Sequence, residues 1–132
     1  MKDIEALEKV QRRFTRILPD YRDLPYTARL TKYKLSSLFA RLHADLVCVF
    51  KIIHGLIDID SNAFFDFDTD YRTRGHKYKL RGFCSRLDLR CHWFSSRIIS
   101  HWNGLPAAMV ELSSLRSFRR AVWIHLATLG IS

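Results

Sequence analysis

The stretch FSSRIISHWNGLP, residues 94–106, decides how the chain is read, because it specifies a helix from both ends. Ser95 can cap the start with its hydroxyl, and Phe94, Ile98, Trp102 and Leu105 then recur at spacings of three and four, so one apolar stripe faces inward. Arg97, Ser100 and His101 are left outside. Asn103 and Gly104 tolerate a left-handed turn, Leu105 can fold back on Ile99, and Pro106 forbids continuation. Trp102 in this position anchors a core.

Upstream lies the electrostatic centre. Residues 72–97 hold Arg72, Arg74, Lys77, Lys79, Arg81, Arg86, Arg90 and Arg97 against Asp88 alone, a net +7 of the chain's +9. Tyr78 and Leu80 alternate with Lys77, Lys79 and Arg81, and Leu87, Leu89, Cys91 and Trp93 alternate with Arg86, Asp88, Arg90 and His92. Period two is strand-like, so the pattern predicts a β-hairpin turning near Gly82, with a basic outer face and an apolar inner one. Downstream, Pro106 starts a turn of helix carrying Met109, Val110 and Leu112. Ser113 or Ser114 then caps a last helix whose buried face is Leu115, Phe118, Val122, Leu126 and Leu129.

The first half reads as helices. In residues 3–18, Ile4, Leu7, Val10, Phe14 and Ile17 form an apolar stripe, expected to face inward, while Lys9, Arg12, Arg13 and Arg16 share one quadrant or so of the opposite face. That ridge either tracks phosphates or is simply a solvated face. Pro19 ends this helix, Pro25 opens a short one to about Lys32 with Tyr26 and Leu30 inward, and Ser36 or Ser37 opens the longest, running to His54 with Gly55 as its stop. Its stripe of Leu38, Leu42, Leu46, Val49, Phe50 and Ile53 is broadened by Phe39, Val47 and Ile52, which makes it central. Residues 56–70 interleave five aspartates with apolar residues and read as an acidic loop or short helix.

A chain of 132 residues suits one domain, 1–132, and its 48% hydrophobic and 13% aromatic content argues against disorder. The net charge of +9 and a pI near 9.9 favour a polyanionic partner such as nucleic acid. The longest apolar run, near residues 46–56, is broken by Lys51 and His54, so no membrane partner is expected. Lys2 leads into an amphipathic stretch unlike a signal peptide, and an odd count of three cysteines argues against a disulfide framework. The expected location is intracellular, with nucleus and cytoplasm equally open.

WNGLP, with Arg97 five residues before Trp102, resembles the Trp-Asn-x-Leu-Pro signature near the C-terminal end of non-LTR (LINE-type) retrotransposon reverse transcriptases. Leu7-Glu8-Lys9-Val10-Gln11-Arg12, Arg29-Leu30, Phe50-Lys51-Ile52, Thr73-Arg74-Gly75, and Ser114 with Phe118 follow in the order seen in jockey-like elements, so the resemblance spans nearly the whole chain. It implies a C-terminal, post-polymerase piece of a polyprotein whose parent is an RNA-directed DNA polymerase. The partners it implies are element RNA or target DNA, together with the upstream polymerase core.

The polymerase's own chemistry is not written here. Two-metal catalysis needs paired carboxylates, and this chain has no Asp-Asp. Cys84, Cys91 and His92 lack the Cys-x2-Cys spacing of a zinc knuckle. In residues 66–70 the calcium-loop pattern fails, since Tyr71 stands where Gly is needed and Lys77 where the bidentate Glu is needed. Neither Ser100-His101 nor Cys91-His92 sits in a nucleophile elbow, and no glycine-rich phosphate loop occurs, so no catalytic residue, metal or cofactor is expected.

The resulting expectation is a mainly α domain of five or six helices with a small basic hairpin, working by binding. The nucleic-acid contacts would come from Arg74, Lys77, Lys79, Arg81, Arg86, Arg90 and Arg97, with Arg12, Arg13 and Arg16 in support. The alternative is a scaffold that packs on the polymerase core or another protein, which predicts a large exposed apolar patch. Trp102 is placed in the core by its periodic company; Trp93 and the tyrosines stay open as base-stacking residues.

Overall fold

The computed structural model describes residues 2–69, 75–82 and 94–129, and these are mainly helical. Seven α-helices occur among them: α1 (Lys2–Ile17), α2 (Tyr26–Lys32), α3 (Leu38–Ile53), α4 (Ser61–Phe64), α5 (Phe94–Asn103), α6 (Ala107–Val110) and α7 (Leu115–Thr128), with a 3-10 turn at Pro19–Tyr21. The count exceeds five or six because α4 and α6 are single turns, one started by Asp60, whose carboxylate accepts the Asn62 N–H at 3.0 Å, the other by Pro106. By their contacts the residues group into two compact units, 1–44 with 124–132, and 45–123.

In the first unit α1 docks by a polar face. Glu8, Gln11 and Thr15 recur at helical spacing, and each reaches another element. The Glu8 carboxylate accepts the Tyr26 hydroxyl and, at 2.9 Å, the Leu38 N–H that opens α3. The Gln11 amide donates to the Tyr26 hydroxyl at 3.1 Å and to the Ser36 carbonyl at 3.2 Å. Thr15 is fully buried and accepts from Arg29 Nε at 3.3 Å. Arg29 is itself buried; its guanidinium also donates to the Leu24 carbonyl and lies 5.7 Å from the centre of the Tyr26 ring. Burial and the neighbouring Glu8 carboxylate push the Tyr26 phenol above its ordinary pKa.

The inward-facing apolar stripe expected for α1 is therefore overturned. Leu7, Val10, Phe14 and Ile17 are 57, 64, 59 and 70% exposed. Two stripes of helical period run along this helix, and the polar one wins because it supplies partners to groups that would otherwise be orphaned, the first N–H of α3 among them.

Helix ends in both units follow hydrogen-bond accounting. At the end of α2, Lys34 takes φ +53° while its N–H reaches the Thr31 carbonyl and that of Leu35 the Leu30 carbonyl. At the end of α3, Gly55 takes φ +66° with the same pair of bonds, to Ile52 and from Leu56 to Lys51. Ser37 Oγ accepts the Ala40 N–H at 3.2 Å and so caps the start of α3.

The second unit is built around α3, α5 and α7. Leu46, Val49, Phe50, Ile98, Trp102, Phe118 and Val122 are all fully buried there. Phe50 stacks on Phe118 with ring centres 4.1 Å apart, and Trp102 meets Phe118 at 6.0 Å. Burial of each such side chain contributes roughly 1.5–3 kcal/mol. α5 starts at Phe94, a residue ahead of the Ser95 cap read from sequence. It also ends without a left-handed residue, because Asn103 and Gly104 keep negative φ; the Asn103 side chain has other work.

Candidate nucleic-acid interface

Residues 76–81 carry the described part of the basic segment, and α5 holds them from behind through main-chain groups. Trp102 Nε1 donates to the Tyr78 carbonyl at 2.9 Å, and His76 Nε2 lies 3.2 Å from the Trp102 carbonyl. The Asn103 amide takes both backbone groups of Leu80: its Oδ1 accepts the Leu80 N–H at 2.9 Å and its Nδ2 donates to the Leu80 carbonyl at 2.7 Å. A primary amide carries a donor and an acceptor side by side as a peptide does, so Asn103 stands in for a neighbouring strand. Leu80 is 1% exposed, and without Asn103 its polar groups on that side would be orphaned.

On its other side Leu80 pairs with Phe67 in an isolated antiparallel bridge. The flanking bonds run from the Asp68 N–H to the Lys79 carbonyl at 2.9 Å and from the Arg81 N–H to the Asp66 carbonyl at 2.7 Å. This corrects the predicted hairpin. No strand is present among the described residues, the first predicted arm bridges backwards to Phe67, and the second arm, residues 86–93, lies outside them. The register also sets Asp66 opposite Arg81 and Asp68 opposite Lys79, where opposite charges attract across the pair. The local field is weaker than a count of cations implies.

Of the expected contact residues, Lys77 and Arg81 are exposed, and Lys77 Nζ sits 5.1 Å from the centre of the Tyr78 ring. Lys79 is half-buried, its aliphatic chain 3.4 Å from where a side chain on Gly75 would begin, at a φ of +153° that only glycine adopts freely. Arg97 is 58% exposed and pairs with Asp45 at 3.1 Å, an exposed ion pair of small energetic value. Arg74, Arg86 and Arg90 lie outside the described residues. In the other unit Lys9, Arg12, Arg13 and Arg16 are all exposed, and Arg12 lies 4.8 Å from the centre of the Tyr26 ring.

The residues that sequence reasoning missed are those that hold the cations in place. Asn103 was legible only as a turn former, although a polar side chain beside a buried tryptophan signals that it has buried partners. Trp102 is fully buried, which removes its ring from base stacking. His76 is 5% exposed, and its Nδ1 has no hydrogen-bond partner. Nε2 faces a carbonyl and so donates to it, while burial lowers the His76 pKa, as it does that of His101.

A pH dependence follows. The unfolded chain takes up a proton near the ordinary histidine value while the folded His76 resists it, so stability should fall as pH drops through about 6.5. Denaturation midpoints at pH 7.5 and 5.5 check this, and the drop should shrink in His76→Gln.

Among the described residues no three His, Cys, Asp or Glu side chains converge on a common point, and no helix is long and apolar enough to cross a membrane. Comparison with protein-family models, curated proteins and solved structures returned no match.

Proposed function

We infer that the chain is a binding unit for nucleic acid, of the kind that follows the polymerase core in LINE-type retrotransposons, with element RNA or target DNA as its ligand. The observation that carries this reading is the pinned segment 76–81. Its backbone is held by Trp102 and Asn103, so Lys77 and Arg81 project from a fixed base without losing order on their own. Phosphates need cations at set positions, and fixed ones lose less entropy on binding. The charge of +9, most of it in residues 72–97, supplies the long-range attraction.

Filter binding of RNA and DNA across a salt series tests the reading. Lys79 is half-buried, so the clean variant is Lys77→Gln with Arg81→Gln. It should keep the fold and weaken binding similarly across sequences. The salt slope should fall by about 0.7 for each lost single-strand phosphate contact, or about 0.9 for duplex. Arg12, Arg13 and Arg16 changed to Gln form the internal control. Their loss should matter less, because Glu5 lies within that ridge whereas residues 72–97 hold most of the net charge. A loop variant unchanged in both affinity and slope overturns the assignment.

A further inference from the structure

The exposed stripe of α1 is not a leftover of folding. Leu7, Val10, Phe14 and Ile17 alternate spacings of three and four, the seam by which one helix packs along another, and all four are more than half exposed. The helix cannot roll this seam inward without breaking the bonds of Glu8, Gln11 and Thr15 to Tyr26, Ser36, Leu38 and Arg29. Contiguous apolar residues held outward on a fixed element mark a contact surface.

We propose that this seam is the docking site for one α-helix of a protein partner, a helix with an apolar seam of its own and acidic side chains along one flank. Charge complementarity selects that occupant. Ala6 and Arg13 follow Ile17 by about 20° and 40° around the helix, with Lys9 and Arg16 next, so the charges nearest the seam on that flank are basic. The other flank is Ile4 and Gln11, which carries no charge.

A second copy fits poorly. An antiparallel two-fold pair sets Arg13 beside Arg13 of the other copy, and a parallel pair sets it against the uncharged flank, so neither offers it a carboxylate. A lipid surface fits poorly too, since basic residues border the apolar face on one side only and the uncharged border adjoins the docked face of α1. This inference is independent of the nucleic-acid reading, although both use Arg13.

The test uses the full chain and two synthetic helical peptides with identical apolar heptads, one flanked by Glu and one by Lys, followed by fluorescence anisotropy. The Glu-flanked peptide should bind about tenfold or more tightly than the Lys-flanked one, and Arg13→Glu should reverse the order. Val10→Gln with Phe14→Gln should weaken binding by about tenfold or more while leaving the denaturation midpoint unchanged, because both side chains are exposed.

Several results would overturn the proposal. One is equal affinity for both peptides. Another is binding that survives the double variant. A monomer–dimer equilibrium abolished by that variant assigns the seam to a second copy, and seam-dependent binding to vesicles of phosphatidylserine and phosphatidylcholine assigns it to lipid. Protection of the seam from solvent in the free chain removes the vacant surface altogether.

Discussion

Trp102→Ala lowers stability by about 3–5 kcal/mol in chemical denaturation, the range for removing a large buried aromatic side chain. The ring is fully buried, lies edge-on to His76 at 5.8 Å and meets Phe118 at 6.0 Å. Its loss opens a cavity between α5 and α7 and also strips the Tyr78 carbonyl of its donor. Trp102→Phe separates the two effects: most of the ring's volume stays, and the missing N–H should cost about 1–3 kcal/mol. A shift below about 1 kcal/mol for Trp102→Ala, the scale of surface changes, would mean that the ring lies at the surface and is open to stacking on bases.

Asn103→Leu is the second large effect, at about 2–4 kcal/mol, because one substitution orphans two backbone groups of a buried residue. Leucine matches the asparagine in size, so the loss reports on hydrogen bonds more than on volume. Asn103→Asp sharpens the test. One carboxylate oxygen still accepts the Leu80 N–H, but the other is set against the Leu80 carbonyl, and the repulsion should keep the cost near that of leucine. Amide exchange at Leu80 gives a local readout and should accelerate in both variants. An Asn103→Leu change within about 0.5 kcal/mol of zero would show that water replaces the clamp. A nucleic-acid surface built on residues 76–81 should weaken in the same variants even though no cation is touched.

The helices were legible because their spacing is local information. The stripes of α3, α5 and α7 lie where periodicity puts them, with Leu42, Leu46, Phe50, Ile98, Trp102, Phe118, Val122 and Leu126 all buried, whereas Leu129, expected on the same face but just past the end of α7, is 45% exposed. α1 was legible as a helix but not in its rotation. Its sequence holds an apolar stripe and a polar one, and hydrophobicity favours the first, whereas the orphan N–H of Leu38, far along the chain, favours the second. The period-two signal near Leu80 correctly gave an exposed Lys77 and Arg81 around a buried Leu80. It could not give the partner. A strand pattern records which face is buried, while Phe67 and Asn103 are chosen by register and by a side chain from another element.

The two units differ in when synthesis can complete them. Residues 45–123 are contiguous, whereas the other unit joins residues 1–44 to 124–132, which are made only after the whole of the second unit. Until Leu126 arrives, the first unit lacks one of its buried side chains, whereas the polar bonds of α1 to Tyr26, Arg29, Ser36 and Leu38 all lie within residues 1–44 and can already form. A nascent chain halted before α7 can therefore already present the apolar seam of α1, held outward by those bonds, which makes the order of translation a determinant of when that surface first meets another molecule.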